Sequence, residues 1–186
     1  MSLNLPLCTL LTEVAEARAT AMGVAMVIAL ADEHGELITF ARMAEALPAS
    51  TEIAVAKAYT AAALRMPTEQ VGVLAQPGEA LYGIQDSMQR RIVTFGGGRP
   101  LCLAEKVIGA IGISGGNLAE DLTLVDAVVT AFKAMKALRG AAATVVCPGM
   151  AWTTAAGRRL GRILRDQLPQ LGEEAIRALT GAILLV

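Results

Sequence analysis

Leu101-Cys-Leu-Ala-Glu-Lys-Val-Ile-Gly-Ala-Ile-Gly-Ile-Ser-Gly-Gly-Asn117 sets the topology of the sheet. Two short apolar runs, 101–103 and 107–114, flank a turn at Ala104-Glu105-Lys106, which is the pattern of a β-hairpin. A hairpin makes its two strands antiparallel, so a doubly wound parallel sheet is excluded. Asn117 followed three residues later by Glu120 is a capping-box-like signature, and it predicts a helix over 118–138. Immediately upstream, Ile92-Val-Thr-Phe95 leads into Gly96-Gly97-Gly98, and Pro100 precedes the hairpin.

Further out the same grammar repeats. The apolar run 24–31, the turn Asp32-Glu33-His34-Gly35 and the return run 36–41 read as a first hairpin, with Gly35 free to take positive φ. Apolar residues recur at helical spacing over 7–22 and stop at Gly23. Pro48-Ala49-Ser50-Thr51 offers a cap for a helix over 53–64, with Glu52 favoured in its first turn. A short helical turn at 68–74 and an irregular loop over 75–87 follow. The order helix, hairpin, helix, loop, hairpin, helix predicts an α/β (α+β) domain: an antiparallel sheet of two hairpins flanked by helices. It occupies residues 1–140. Residues 141–186 read as an appendage with short amphipathic helices over 158–168 and 173–185, separated by Pro169 and Gly172.

Composition narrows the function. The 186 residues are 54% hydrophobic, 18% charged and only 3% aromatic. Such a core must be built from many small contacts, and the surplus apolar surface points to a homo-oligomer. A net charge of −1 gives no polyanion-binding face, so no nucleic acid partner is expected. The chain starts without a basic signal-peptide n-region, and no apolar run is long enough for a membrane span. A cytoplasmic protein is expected. Cys8, Cys102 and Cys147 are odd in number and widely spaced, which supports free thiols rather than a zinc knuckle or disulfide framework.

The candidate functional residues start with the glycines. Gly109, Gly112, Gly115 and Gly116 do not have dinucleotide-loop spacing, and no phosphate-binding P-loop is present. Glycines within a strand mark close approach by a backbone or by a flat ligand. Gly96, Gly97, Gly98, Gly112, Ser114, Gly115 and Gly116 are therefore candidate ligand contacts, with turn geometry and packing as the competing reading. Asn117 brings the chain to a helix N-terminus, where free N–H groups attract carboxylate or phosphate. His34, the only histidine, makes a Ser-His-Asp triad, a Cys-His pair or a multi-histidine metal site very hard to build and reads as a solvated turn residue. Lys57 lies among alanines, where its ammonium either enters a pocket or snorkels to solvent. Arg42 reads as a carboxylate clamp or a surface ion-pair partner. Asp121 and Asp126 read as structural.

Taken together, Ala-Arg42-Met43, Pro-Ala-Ser50-Thr-Glu-Ile-Ala-Val-Ala-Lys57-Ala-Tyr-Thr60-Ala, Phe95-Gly-Gly-Gly-Arg-Pro100 and Val107-Ile-Gly-Ala-Ile-Gly-Ile-Ser-Gly-Gly116 resemble the GlcG/HbpS family, which includes the C-terminal domain of PduO-type proteins. The resemblance implies a profilin-like or PAS-like fold and assembly into dimers or higher oligomers. It also implies heme or a related tetrapyrrole as a ligand of some members, with roles in glycolate or diol metabolism and its microcompartments. Thr60 joins the candidate ligand contacts on this basis. Heme-ligating members are expected to use a histidine late in the first helix, a position that falls at Arg18 here. Arginine stays protonated and cannot ligate iron, which leaves Met22, Cys8 or a residue of a neighbouring subunit as the axial ligand. The adenosyltransferase part of full-length PduO-type proteins is not matched, so no cobalamin adenosylation is expected. Amphipathic helices behind a linker, here within 148–186, resemble peptides that direct cargo into a bacterial microcompartment.

Three functions stay open at this point. One is a non-enzymatic, oligomeric heme- or tetrapyrrole-binding protein. Another is a small enzyme acting on a 2-hydroxy acid or aldehyde, with Arg42 as clamp, Lys57 as base or Schiff-base donor and the Gly115-Gly116 amides holding an oxyanion. The third is a recruitment or structural protein that contacts microcompartment components through its tail.

Overall fold

The computed structural model describes residues 3–142. Helix α1 (Leu5–Met22) opens at Asn4, whose side-chain oxygen accepts from the Leu7 N–H at 3.1 Å, and closes at Gly23 in the left-handed region. Strands β1 (Val27–Asp32) and β2 (Leu37–Arg42) form the first hairpin. Helices α2 (Ser50–Leu64) and α3 (Thr68–Leu74) follow, then two short 3-10 turns at Ile84–Asp86 and Met88–Arg90. Strands β3 (Gly98–Leu103) and β4 (Lys106–Ser114) make the second hairpin, and α4 (Leu118–Ala142) ends the described chain. The sheet is antiparallel throughout, in the order β2-β1-β4-β3.

Residues group into two compact units, Met1–Val129 and Thr130–Val186. The first holds the sheet; of the second, only helical residues 130–142 are described. The amphipathic helices expected over 158–168 and 173–185 lie outside the described residues, as does Cys147. Among the described residues no helix is long and apolar enough to cross a membrane.

The two faces of the sheet are built differently. Val27, Ala29 and Ala31 of β1 pack with Ala54 and Ala58 of α2, and Ala110 of β4 packs with Ala61 and Ala62. Small side chains on both partners let α2 approach the sheet closely. Ile28, Leu30, Ile111 and Ile113 point to the opposite face and are wholly buried. Helix α1 lies on that side, where Thr12 Oγ1 meets Thr39 Oγ1 at 3.4 Å and Thr39 sits opposite Leu30. Each large aliphatic residue buried there contributes about 1.5–3 kcal/mol, so this face supplies most of the hydrophobic drive.

Several boundaries differ from the expectation, and three of them have a clear local reason. The first strand starts at Val27 rather than Val24, because the Val24 N–H is used in closing α1, donating to the Ala19 carbonyl at 3.1 Å. Helix α2 starts at Ser50 without a side-chain cap from Ala49, because Ser50 is drawn inside the first turn and buried. Strand β3 starts at Gly98 and runs through Pro100, which an edge strand tolerates because one side of its backbone has no partner to serve.

Candidate functional site

Lys57 is the centre of the polar structure inside this domain. It sits mid-way along α2, on the side turned toward β4, and is wholly buried. Its Nζ donates to Asp121 Oδ2 at 2.6 Å and to the Ile113 carbonyl at 2.8 Å, and it lies 5.0 Å from the centre of the Phe95 ring. An ammonium has three N–H groups, so two oxygens and one aromatic face account for all of them. Its ammonium does not snorkel to solvent; it meets the chain's own oxygens and ring inside the domain. Asp121 is equally engaged, since its Oδ1 accepts from the Gly116 N–H at 3.2 Å. Burial pushes the Lys57 pKa down and the Asp121 pKa up, while their mutual attraction opposes both shifts.

The glycines are arranged around this pair. A Cβ on Gly97 would stand 2.6 Å from Lys57 Nζ and 2.7 Å from the Ile113 oxygen, and the residue has φ +113. A Cβ on Gly112 would collide with the Ala54 carbonyl and the Ala58 nitrogen of α2. Gly98 abuts the Lys57 carbonyl and gives its N–H to Thr68 Oγ1 at 2.9 Å. Gly96 lies against Leu118 and Leu122. The close approach that the sequence announces is made by the chain's own α2, Lys57 and α4, and Gly96, Gly97, Gly98 and Gly112 are buried beneath them.

The start of α4 is occupied in the same manner. Asn117 and Glu120 bond reciprocally, N–H to side chain, at 2.8 and 3.0 Å, as the capping box predicts. The Gly116 N–H is held by Asp121. The amides expected to receive an external anion or oxyanion at Gly116 and Asn117 therefore already face the chain's own carboxylates. Gly115 is half-buried against Met26, and Ser114 is buried at the end of β4.

Other candidates lie apart from this centre. Thr60 is buried; its Oγ1 accepts from the Val93 N–H at 2.9 Å and reaches the Ala56 carbonyl at 2.7 Å, pinning residues 91–93 to α2. Arg42 is exposed at the end of β2, bonded to the Ala46 carbonyl and without an ion pair to a described residue. His34 is exposed in its turn, where the Asp32 carboxylate receives the His34 and Glu36 N–H groups at 2.8 and 2.9 Å. On α1, Arg18 and Met22 are half-buried one helical turn apart. Cys8 is wholly buried, and burial pushes its thiol up to about 12.

Sequence reasoning did not foresee three of these partners: Asp121 against Lys57, Phe95 over the ammonium, and Thr68 on Gly98. A lysine in a run of alanines signals that a carboxylate is needed, yet Asp121 and Asp126 on one helix were equal choices from spacing alone.

Comparison with known proteins agrees with the fold. The model of the family described as "Haem degrading protein HbpS-like" matches residues 3–130. The uncharacterized 15.0 kDa protein of the dhaT-dhaS intergenic region of Citrobacter freundii is 40% identical over 122 residues, 66% of this chain and 86% of that protein. The corrinoid adenosyltransferase PduO of Salmonella typhimurium is 40% identical over 122 residues, 65% of this chain but 36% of its own length. The chain thus spans about a third of PduO. A solved structure, the PduOC:heme complex, is 37% identical with a TM-score of 0.68, covering 70% of this chain and 95% of that one. With its α+β fold, antiparallel sheet and ordered motifs, this chain belongs to the HbpS-like family.

Proposed function

We propose that this protein is an oligomeric tetrapyrrole-binding protein, with heme as its ligand and an accessory rather than catalytic role. The observation that carries the reading is its likeness, over nearly the whole of that chain, to a relative whose structure is a heme complex. Once bound, heme would supply a redox-active iron centre able to take a protein ligand.

Three residues of α1 bear on how the iron would be held. Cys8 does not fit, because a wholly buried thiol with its pKa pushed up to about 12 is neither accessible nor ionised. Met22 fits: a thioether needs no deprotonation, and the side chain is partly accessible at the end of α1. Arg18, one turn earlier on the same face, suits a propionate in place of the iron. The enzymatic alternative needs the Lys57 amine free, whereas its three N–H groups are engaged by Asp121, Ile113 and Phe95; this favours binding over catalysis.

The accessory role would place the protein in the cytoplasm or within a microcompartment, with residues 148–186 as the recruiting segment. Hemin titration of wild type, Met22→Leu and His34→Ala tests the ligand assignment. The Soret position should change in Met22→Leu and stay at the wild-type value in His34→Ala. The reverse pattern would assign the iron to the imidazole and overturn the choice of Met22.

A further inference from the structure

The two edges of the sheet are protected unequally. On β3 the edge contains Gly98 and Pro100, carries a register shift between Leu101 and Cys102, and has Arg99 held by Glu69 and Asp126. These are the features that stop an edge from pairing with another strand. The other edge, β2, has neither Pro, Gly nor Lys between Leu37 and Arg42; its one irregularity is the shift that leaves Ile38 without a partner on β1.

Register identifies which backbone groups of β2 are free. The Met43 N–H donates to the Met26 carbonyl at 3.0 Å, and Val27 stands opposite Arg42. Alternation in an antiparallel ladder then turns the N–H and C=O of Thr39, Ala41 and Met43 toward β1. Those of Phe40 and Arg42 point outward, and none of the described residues bonds to them. Both side chains project to the same face, with Phe40 opposite Ala29 and Arg42 opposite Val27. Phe40 is 41% exposed.

We propose that β2 pairs antiparallel with β2 of a second copy of this chain, about a two-fold axis at Ala41, joining the two sheets into one. In this register the outward groups of Phe40 bond those of Arg42 in the second copy, and the reverse. Ala41 faces its own copy in a non-hydrogen-bonded pair. Only the regular half of the strand is used, clear of the irregularity at Ile38. Each Phe40 ring also lies beside a guanidinium that has no ion pair to a described residue, a cation–aromatic match made twice by symmetry. A second copy is the occupant that this edge complements, because the apolar and cationic partners alternate on one strand. The inference rests on the oligomeric part of the reading above and assigns the surface that carries it.

Two variants of the full chain test it. Phe40→Pro removes an N–H that only a partner strand uses, and sedimentation velocity should show the molar mass falling by half relative to wild type. Ala41→Cys places two thiols across the axis at the spacing of a non-hydrogen-bonded pair, within reach of a disulfide. Under mild oxidant it should run as a covalent dimer on a non-reducing gel, while wild type and Phe40→Cys do not. A wild type that sediments as a monomer would overturn both this interface and the oligomeric reading. An oligomeric wild type whose mass is unchanged by Phe40→Pro, with no cross-link in Ala41→Cys, would overturn this interface alone.

Discussion

The Lys57 ammonium and the Asp121 carboxylate meet at 2.6 Å inside the domain, joining α2 to the start of α4 beneath the end of β4. Gly97 makes room for that meeting, and Gly112 for the close approach of α2 that brings Lys57 there. A side chain at Gly97 would displace the ammonium, and one at Gly112 would lift α2 off the sheet. The pair fixes the two elements that close over the glycine-rich strands.

Breaking the pair on one side should be costly. Lys57→Met leaves Asp121 buried without its cation, and the expected loss is about 3–5 kcal/mol in urea unfolding. Lys57→Met combined with Asp121→Leu removes both charges and should recover most of that loss. A single variant within 1 kcal/mol of wild type would mean that the charge is satisfied elsewhere.

Gly112→Val should act through packing. The new side chain meets the backbone of α2 at Ala54 and Ala58, so stability should fall by at least the roughly 1–3 kcal/mol typical of an overpacked core. Thermal unfolding followed by circular dichroism measures it. A variant with wild-type stability that fails only to take up hemin would put Gly112 at the ligand instead.

The fold was legible where its signals are local. Gly35 in the first hairpin turn, Gly23 at the end of α1 and the Asn117–Glu120 cap all lie within a few residues of what they control. The hairpin at 104–105 is equally local, and it fixes the antiparallel sheet. The candidate site was legible only as composition. That glycines gather at 96–98 and 112–116 is visible in the sequence, but which body fills the space beside them depends on α2, half the domain away. Asp121 is 64 residues from Lys57, and no spacing rule connects them.

The turn between β3 and β4 offers a gain in stability. Ala104 has φ +53, a left-handed conformation that costs a residue with a Cβ about 1–2 kcal/mol. Ala104→Gly should therefore raise the melting temperature, with a net gain near 1 kcal/mol once the added freedom of the unfolded chain is subtracted. An unchanged or lower melting temperature would count against strain at this turn.

Cys8 makes a pH-dependent contribution whose sign follows from its burial. Its pKa rises from 9.0 to about 12 on folding, so the folded state holds this proton more tightly than the unfolded one. The stability it provides, relative to Cys8→Ala, is fully present below pH 9 and is lost as pH rises toward 12. In denaturant melts of both proteins, the advantage of wild type over Cys8→Ala should shrink as pH rises above 9. Ellman's reagent should also titrate at least one thiol fewer in the folded protein than in guanidinium.

Heme should bind this HbpS-like chain despite arginine at position 18. Titrating the purified 186-residue chain with hemin, and following the Soret band, is the decisive measurement. Binding predicts a shifted band that saturates at a fixed ratio of hemin to chain, with Met22→Leu altering its position. A spectrum that stays that of free hemin throughout the titration would rule out heme as the ligand.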